Sequence, residues 1–288
     1  MNCEAQTSNT VTFHKEADNT IVTVENQSAT AVISLFGGHV LSFSPRQDNR
    51  DRLWLSPLTK IDGTESIRGG VPICWPWFSD QFPADSSALK LPTHGYARTN
   101  HWTLTSIETP SADKTIVTLQ LELVDKPGFP YRAKLNYCIR VSHELLLDLQ
   151  IVNLDDSDFE FTGALHSYFS VNNVEDVEVL GLQGTYKDKN QDMATFDTPT
   201  RYKITSETDR IHLTTKPAVT VIEQQQKTFI HMTGHDSIVV WNPGAEGAKE
   251  IKNIADKDYK KFLCIEVAVT SNTKLAAHQK YQLTQKIV

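Results

Sequence analysis

The sequence predicts an all-β protein, a large antiparallel sandwich with few short helices. Three observations carry that reading: long stretches with apolar period two, turn residues between them, and sparse helical periodicity. Side chains alternate sides along a strand, so each such stretch has one apolar face to bury and one mixed face. Val117, Leu119, Leu121 and Leu123 alternate with Thr118, Gln120 and Glu122. Ala133, Leu135, Tyr137, Ile139 and Val141 alternate in the same way with Lys134, Asn136, Cys138 and Arg140. Ser142-His143 then reads as a hairpin turn, after which Leu145, Leu147, Leu149 and Ile151 resume the pattern. Shorter segments of this kind recur at 11–14, 20–24, 28–34, 39–43, 102–108, 159–166, 174–180, 210–214, 218–223, 228–232, 236–241, 262–269 and 280–287. Turn residues bound most of them, and antiparallel sheets of this type bury their apolar faces against one another. The best helical candidate is 247–258, where Ile251 and Ile254 make a narrow stripe among interleaved Lys, Glu and Asp, a solvated face rather than a basic patch. Ser79 to Thr93, with Pro83, Asp85, Ser86, Ser87 and Pro92, and the polar Lys187 to Thr200 read as long loops, which are often functional inside a compact domain.

No linker, repeat or low-complexity tract divides the 288 residues, so one domain spanning 1–288 is expected. A chain of this size buries roughly three quarters of its unfolded surface and needs no disulfide or metal to complete its core. Lys and Arg total 28 against 35 Asp and Glu, a net charge of −7, which gives no support to nucleic-acid binding. The longest charge-free stretch, Asn26 to Pro45, holds Gly37, Gly38, His39 and five Ser or Thr, too polar for a membrane span. The start, MNCEAQTSNT, lacks the basic and apolar regions of a secretory signal. Cys3, Cys74, Cys138 and Cys264 show no paired spacing, which fits reduced thiols. A cytoplasmic monomer acting on a small molecule is the expectation, with no nucleic-acid or membrane partner.

GxGxxG, P-loop, GxSxG and HExxH signatures are all absent. His231 and His235 straddle Gly234 in a turn, and His94 and His101 lack a nearby third ligand, so no metal site is expected. Four stretches carry chemistry instead. Ile67 to Phe78, IRGGVPICWPWF, sets Arg68 before paired glycines and then packs aromatics; glycine allows close backbone approach, and rings offer apolar pocket wall. Leu91 to Arg98, LPTHGYAR, adds His94 and Arg98, and two arginines in glycine-containing loops suit an anion. In FTGALHSYF, a strand continuing past Leu165 would put His166 on one face with Thr162, Ala164 and Tyr168. In FLCIEVAV, Leu263, Ile265, Val267 and Val269 form an apolar face, while Cys264, Glu266 and Ala268 form the other. A buried carboxylate there would be costly without a partner and would have a raised pKa, the property of a usable base.

Taken together, IRGGVPICWPWF, LPTHGYAR, ALHSYF, SETDRI, VVWNPG and DYKKFLCIEVA, in that order, resemble the glucose-6-phosphate 1-epimerase branch of the aldose 1-epimerase (mutarotase) family. GGHVLSFSP also fits, so the resemblance covers nearly the whole chain. It implies a galactose mutarotase-like antiparallel β-supersandwich that interconverts the α and β anomers of a hexose 6-phosphate without cofactor or metal. It further implies His166 as general acid and Glu266 as general base. Both lie on the mixed faces of their strands beside small residues, so they are expected to face one cleft about a sugar ring apart. Arg68 and Arg98 match substrate-binding arginines with phosphate as their target, Asp209 a further active-site carboxylate, and His94 a sugar-contacting histidine. Thr93 stands at a substrate-contacting position where some relatives carry Gln. Three rival readings remain: a mutarotase for unphosphorylated aldoses such as galactose, a non-catalytic carbohydrate-binding sandwich, and a glycoside hydrolase using Asp209 and Glu266.

Overall fold

The computed structural model describes residues 10–83 and 89–288. Cys3, Asp85, Ser86 and Ser87 therefore lie outside the described residues. The named strands pair antiparallel throughout and form three sheets. The largest has nine strands, in spatial order Tyr202–Lys203, Val177–Leu180, Ala218–Glu223, Gln226–Thr233, Lys280–Ile287, Leu145–Asn153, Phe129–Val141, Lys114–Lys126 and Thr103–Ser111. The second runs Ala194–Asp197, Thr185–Asp188, Thr208–His212, Ser237–Asn242, Phe262–Leu275, Phe159–Leu165 and Ile73–Cys74, with Tyr168–Ser170 also paired to Phe262–Leu275. A four-stranded sheet, Thr10–Glu16, Asn19–Glu25, Ala29–Ser34 and His39–Pro45, completes the set.

Period two explains what holds the sheets together. Val117, Leu119, Leu135, Ile139, Leu147 and Leu149 from the largest sheet share one core with Val22, Ile33, Ile238, Leu263, Ile265 and Val267 from the other two. Val141 pairs with Leu145, so Ser142 and His143 do sit in the expected hairpin turn. Trp75 and Trp77 are buried core residues; Trp75 packs edge-on against Phe129 and Phe159. Most of the aromatics in the IRGGVPICWPWF stretch therefore hold the core.

Three sequence expectations need correction. The helix expected over 247–258 spans Gly244–Glu250, and the chain turns beyond it. Tertiary contacts decide this: the Asn253 carbonyl accepts from Ser56 Oγ, and Ile254 is buried against Trp54, Tyr168 and Phe262 without needing a helical face. Lys187 to Thr200, read as a loop, falls mostly within the hairpin formed by Thr185–Asp188 and Ala194–Asp197. Its residues are mostly exposed at a sheet edge, so few of them alternate in polarity, and only the Tyr186–Phe196 ring pair marks the register. The segment 174–180 opens with a 3₁₀ turn, Val174–Asp176, before its strand Val177–Leu180 begins.

Candidate active site

Strand register builds the centre of the site. Ala164 stands opposite Ala268 and Leu165 opposite Val267. After a break at His166 and Ser167, Tyr168 stands opposite Cys264. The register is therefore unbroken across the gap, and it sets His166 facing Glu266. Across the gap the His166 N–H donates to the Pro72 carbonyl (2.9 Å), in line with the pairing of Ala164 with Cys74 and Leu165 with Ile73. The strand expected to continue through His166 is interrupted, yet the face assignment holds: the His166 ring stacks on Tyr168 with centroids 4.9 Å apart.

His166 Nε2 lies 3.3 Å from Glu266 Oε1, and both residues are buried. They touch, where a separation of about a sugar ring was expected, because the register makes them direct cross-strand neighbours. Burial pushes the Glu266 carboxyl well above the usual carboxylate range, and the Asp209 charge adds to the effect, with Lys189 opposing it. Burial also holds the His166 imidazole down, to about 3, reinforced by the Arg68 and Arg98 guanidiniums. The contact has the distance of an ion pair, but both shifts favour neutral partners, so the pair's one proton rests on the carboxyl. That is the reverse of the resting state in which Glu266 is the ionised base. Glu266 Oε2 and His166 Nδ1 have no hydrogen-bond partner among the described residues.

The pair closes one end of a cleft of about 150 Å³ walled by Arg68, Phe78, His94, Lys189, Asp209 and Trp241. A wider hollow of about 480 Å³ lies over Trp77, Phe129 and Tyr131, but it has no histidine and its Asp158 is paired to Lys274 at 2.8 Å. The acid–base chemistry belongs to the smaller cleft. Arg68 is fixed by the glycines that follow it. Gly69 has φ +109°, and a Cβ there would stand 2.4 Å from the Trp54 carbonyl; only glycine fits. Arg68 Nη1 then donates to Tyr168 Oη (3.0 Å) and its Nε to Asn253 Oδ1 (3.3 Å). His94 meets the His166 ring edge-on at 5.5 Å and accepts the Ser79 N–H at Nδ1 (3.0 Å). Burial, then the Arg98 charge, keeps it well below the ordinary histidine range.

Five of the seven expected residues thus meet in one cleft: His166, Glu266, Arg68, Asp209 and His94. Arg98 is not part of the wall; its Nη2 donates to the Thr93 carbonyl (3.0 Å), next to His94, and its buried Nε has no partner among the described residues. The Thr93 hydroxyl points to Asp80 (3.1 Å) and Thr93 is exposed, away from the wall. Lys189 was missed. It follows the strand Thr185–Asp188, and its Nζ pairs with Asp209 Oδ2 at 2.9 Å. Lys189 sat in a stretch read as a polar loop, where no pattern marked it. Trp241, in the VVWNPG motif, also went unassigned; its ring stands edge-on to His166 at 5.9 Å. Among the described residues, His166, Cys264 and Glu266 form a group whose donor atoms lie within 4.8 Å of one another. No helix of the described residues is long and apolar enough to cross a membrane.

The chain matches known proteins along nearly its full length. The aldose 1-epimerase family model matches residues 20–288, and the chain belongs to that family of isomerases. It is 33% identical over 266 residues to a candidate glucose-6-phosphate 1-epimerase from Escherichia coli K12, covering 90% of this chain and 86% of that one. A plant relative under the same name, from Cenchrus ciliaris, is 28% identical over 257 residues, 84% of this chain and 75% of its own. The crystal structure of YeaD, a candidate mutarotase from Salmonella typhimurium, superposes with a TM-score of 0.87 at 27% identity, covering 96% of this chain and 92% of that one. These likenesses agree with the β-supersandwich that the sequence predicts.

Proposed function

We propose that the protein interconverts the α and β anomers of a hexose 6-phosphate, glucose 6-phosphate first among them. The observation that carries this is the His166–Glu266 contact at 3.3 Å on the wall of a cleft that also presents the Arg68 guanidinium. Opening a hemiacetal needs a proton taken from the C1 hydroxyl and a proton given to the ring oxygen. Rotation about C1–C2 and closure on the other face then give the other anomer. One carboxyl and one imidazole sharing a proton suffice, each worth about 10²–10⁴-fold.

Substrate charge sets the proton where this chemistry wants it. A phosphate dianion beside Arg68 offsets the guanidinium field that, after burial, holds His166 down. The C1 hydroxyl meanwhile gives the Glu266 carboxylate a donor in a site where its Oε2 otherwise has none. The proton passes to His166, which donates it to the ring oxygen as ionised Glu266 accepts the C1 proton. On closure the transfers reverse, so the enzyme ends as it began. Asp209, held by Lys189, and His94 are placed to position the sugar hydroxyls. The names of the E. coli and Cenchrus relatives support the phosphorylated substrate.

The test is anomer exchange, by polarimetry, on glucose 6-phosphate beside glucose and galactose. Wild-type protein is expected to favour glucose 6-phosphate. Charge-assisted contacts are worth about 1.5–3 kcal/mol, and 1.4 kcal/mol is a decade. Arg68→Ala should therefore lower kcat/KM for the phosphate ester by about ten- to a hundredfold, with little change on glucose. Equal losses on both sugars would end the phosphate assignment, and faster exchange of galactose would favour a mutarotase for free aldoses.

A further inference from the structure

Cys264 takes no part in the proposed chemistry, yet its thiol sits beside the catalytic pair. The alternation that turns Glu266 to the mixed face of its strand turns Cys264 there too, and Tyr168 stands opposite Cys264 as His166 does opposite Glu266. We infer that His166, Cys264 and Glu266 form an inhibitory site for a thiophilic divalent cation, zinc above all, that silences the enzyme by tying up its acid and base.

Three features support this. Imidazole, thiolate and carboxylate are the donor types zinc takes, with three protein ligands and one open position in the usual non-structural site. With Zn–N and Zn–O bonds of about 2.0–2.2 Å, tetrahedral geometry separates the two donor atoms by about 3.3–3.5 Å. His166 Nε2 and Glu266 Oε1 already stand 3.3 Å apart, and the whole donor set lies within 4.8 Å. The third feature is a buried ligand atom without a partner among the described residues: Glu266 is 1% exposed, and its Oε2 accepts no hydrogen bond from them.

The cations around the cleft do not forbid the metal. Lys189 is paired to Asp209, and Arg68 is engaged with Tyr168 and Asn253. Zinc binds a thiol and a carboxyl in their deprotonated forms and releases their protons. A zinc ion that displaces those two protons brings two positive charges and removes two, so the net charge of the cleft is unchanged. A sugar ring and the metal need the same two side chains, so each excludes the other.

The full chain is titrated with zinc chloride in chelator-free buffer while anomer exchange on glucose 6-phosphate is followed. The expected result is reversible inhibition, competitive with substrate and relieved by EDTA, while magnesium has no effect. Cys264→Ala should keep its exchange rate and tolerate at least about 100-fold more zinc, since even an outer-sphere change costs about 10–100-fold in metal affinity. A second readout needs no catalysis. Cadmium added to wild-type protein should give the ultraviolet thiolate-to-metal charge-transfer band, and Cys264→Ala should lack it. Where the alanine variant folds poorly, Cys264→Ser serves the same comparison. Zinc sensitivity or a cadmium band that is equal in wild type and variant overturns the inference, as does a wild-type protein indifferent to zinc. An inactive preparation that still shows the Cys264-dependent band would leave the metal site standing and refute the proposed reaction.

Discussion

Replacing Glu266 by glutamine changes one carboxyl oxygen to an amide nitrogen at the same volume, in a site that is 1% exposed. Packing is preserved, and the amide can donate to His166 Nε2 across the present 3.3 Å contact. What is lost is the ability to move a proton. A positioned acid or base contributes about 10²–10⁴-fold, so exchange should fall by that factor, about 2.7–5.4 kcal/mol of barrier. Stability should move the other way. The fold raises the Glu266 pKa by burying it near Asp209, so above the ordinary carboxylate pKa the unfolded chain releases a proton that the folded chain retains. Wild-type stability therefore declines as pH rises from about 4.5 toward the folded value, and glutamine removes that decline. The variant should melt at or above the wild-type temperature at pH 7 and match it near pH 4. Polarimetry corrected for spontaneous mutarotation, with thermal unfolding at the two pH values, checks both halves. Wild-type exchange in Glu266→Gln would remove Glu266 from the mechanism. Loss of exchange together with a lower melting temperature would reduce it to a structural residue.

The acid limb of kcat/KM should report the second proton entering the His166–Glu266 pair, which burial opposes first and the flanking guanidiniums second, together holding His166 to about 3. Arg98→Ala removes one of those charges, so the imidazole protonates more readily and the limb should move to higher pH. Free glucose is the substrate for that profile, because a phosphate ester ionises near about 6 on its own account; an unmoved limb would deny the coupling. Gly69→Ala should lower both the melting temperature and the affinity for the phosphate ester. A Cβ there meets the Trp54 carbonyl at 2.4 Å in a backbone at φ +109°, which costs about 1–3 kcal/mol for conformation alone and shifts Arg68. A fully stable, fully active Gly69→Ala protein would contradict it.

The polarity pattern by itself determined the fold class, because period two is a local property: Val117 to Leu123 and Ala133 to Val141 announce strands whatever they pair with. It also determined which face of Phe262–Leu275 was unusual, since a glutamate alternating with cysteine and alanine is visible without a partner strand. The motifs added which side chains to watch. Register was not local. That 166 faces 266 follows from the pairing of Leu165 with Val267 and Tyr168 with Cys264, and no feature of either segment encodes the other's alignment. The same holds for Lys189, brought to Asp209 by a hairpin whose exposed edge residues do not alternate in polarity. It holds too for the stretch after Glu250, where Ser56 and Arg68 bind Asn253 and turn aside a helix the charges allowed. Even the resting proton depended on tertiary structure. An acid and an imidazole in solution would exchange it toward the ring. Burial, with Arg68 and Arg98 on the imidazole side and Asp209 on the carboxyl side, leaves it on Glu266, because the desolvation and charge fields that decide a pKa come from the whole fold and not from neighbours in sequence.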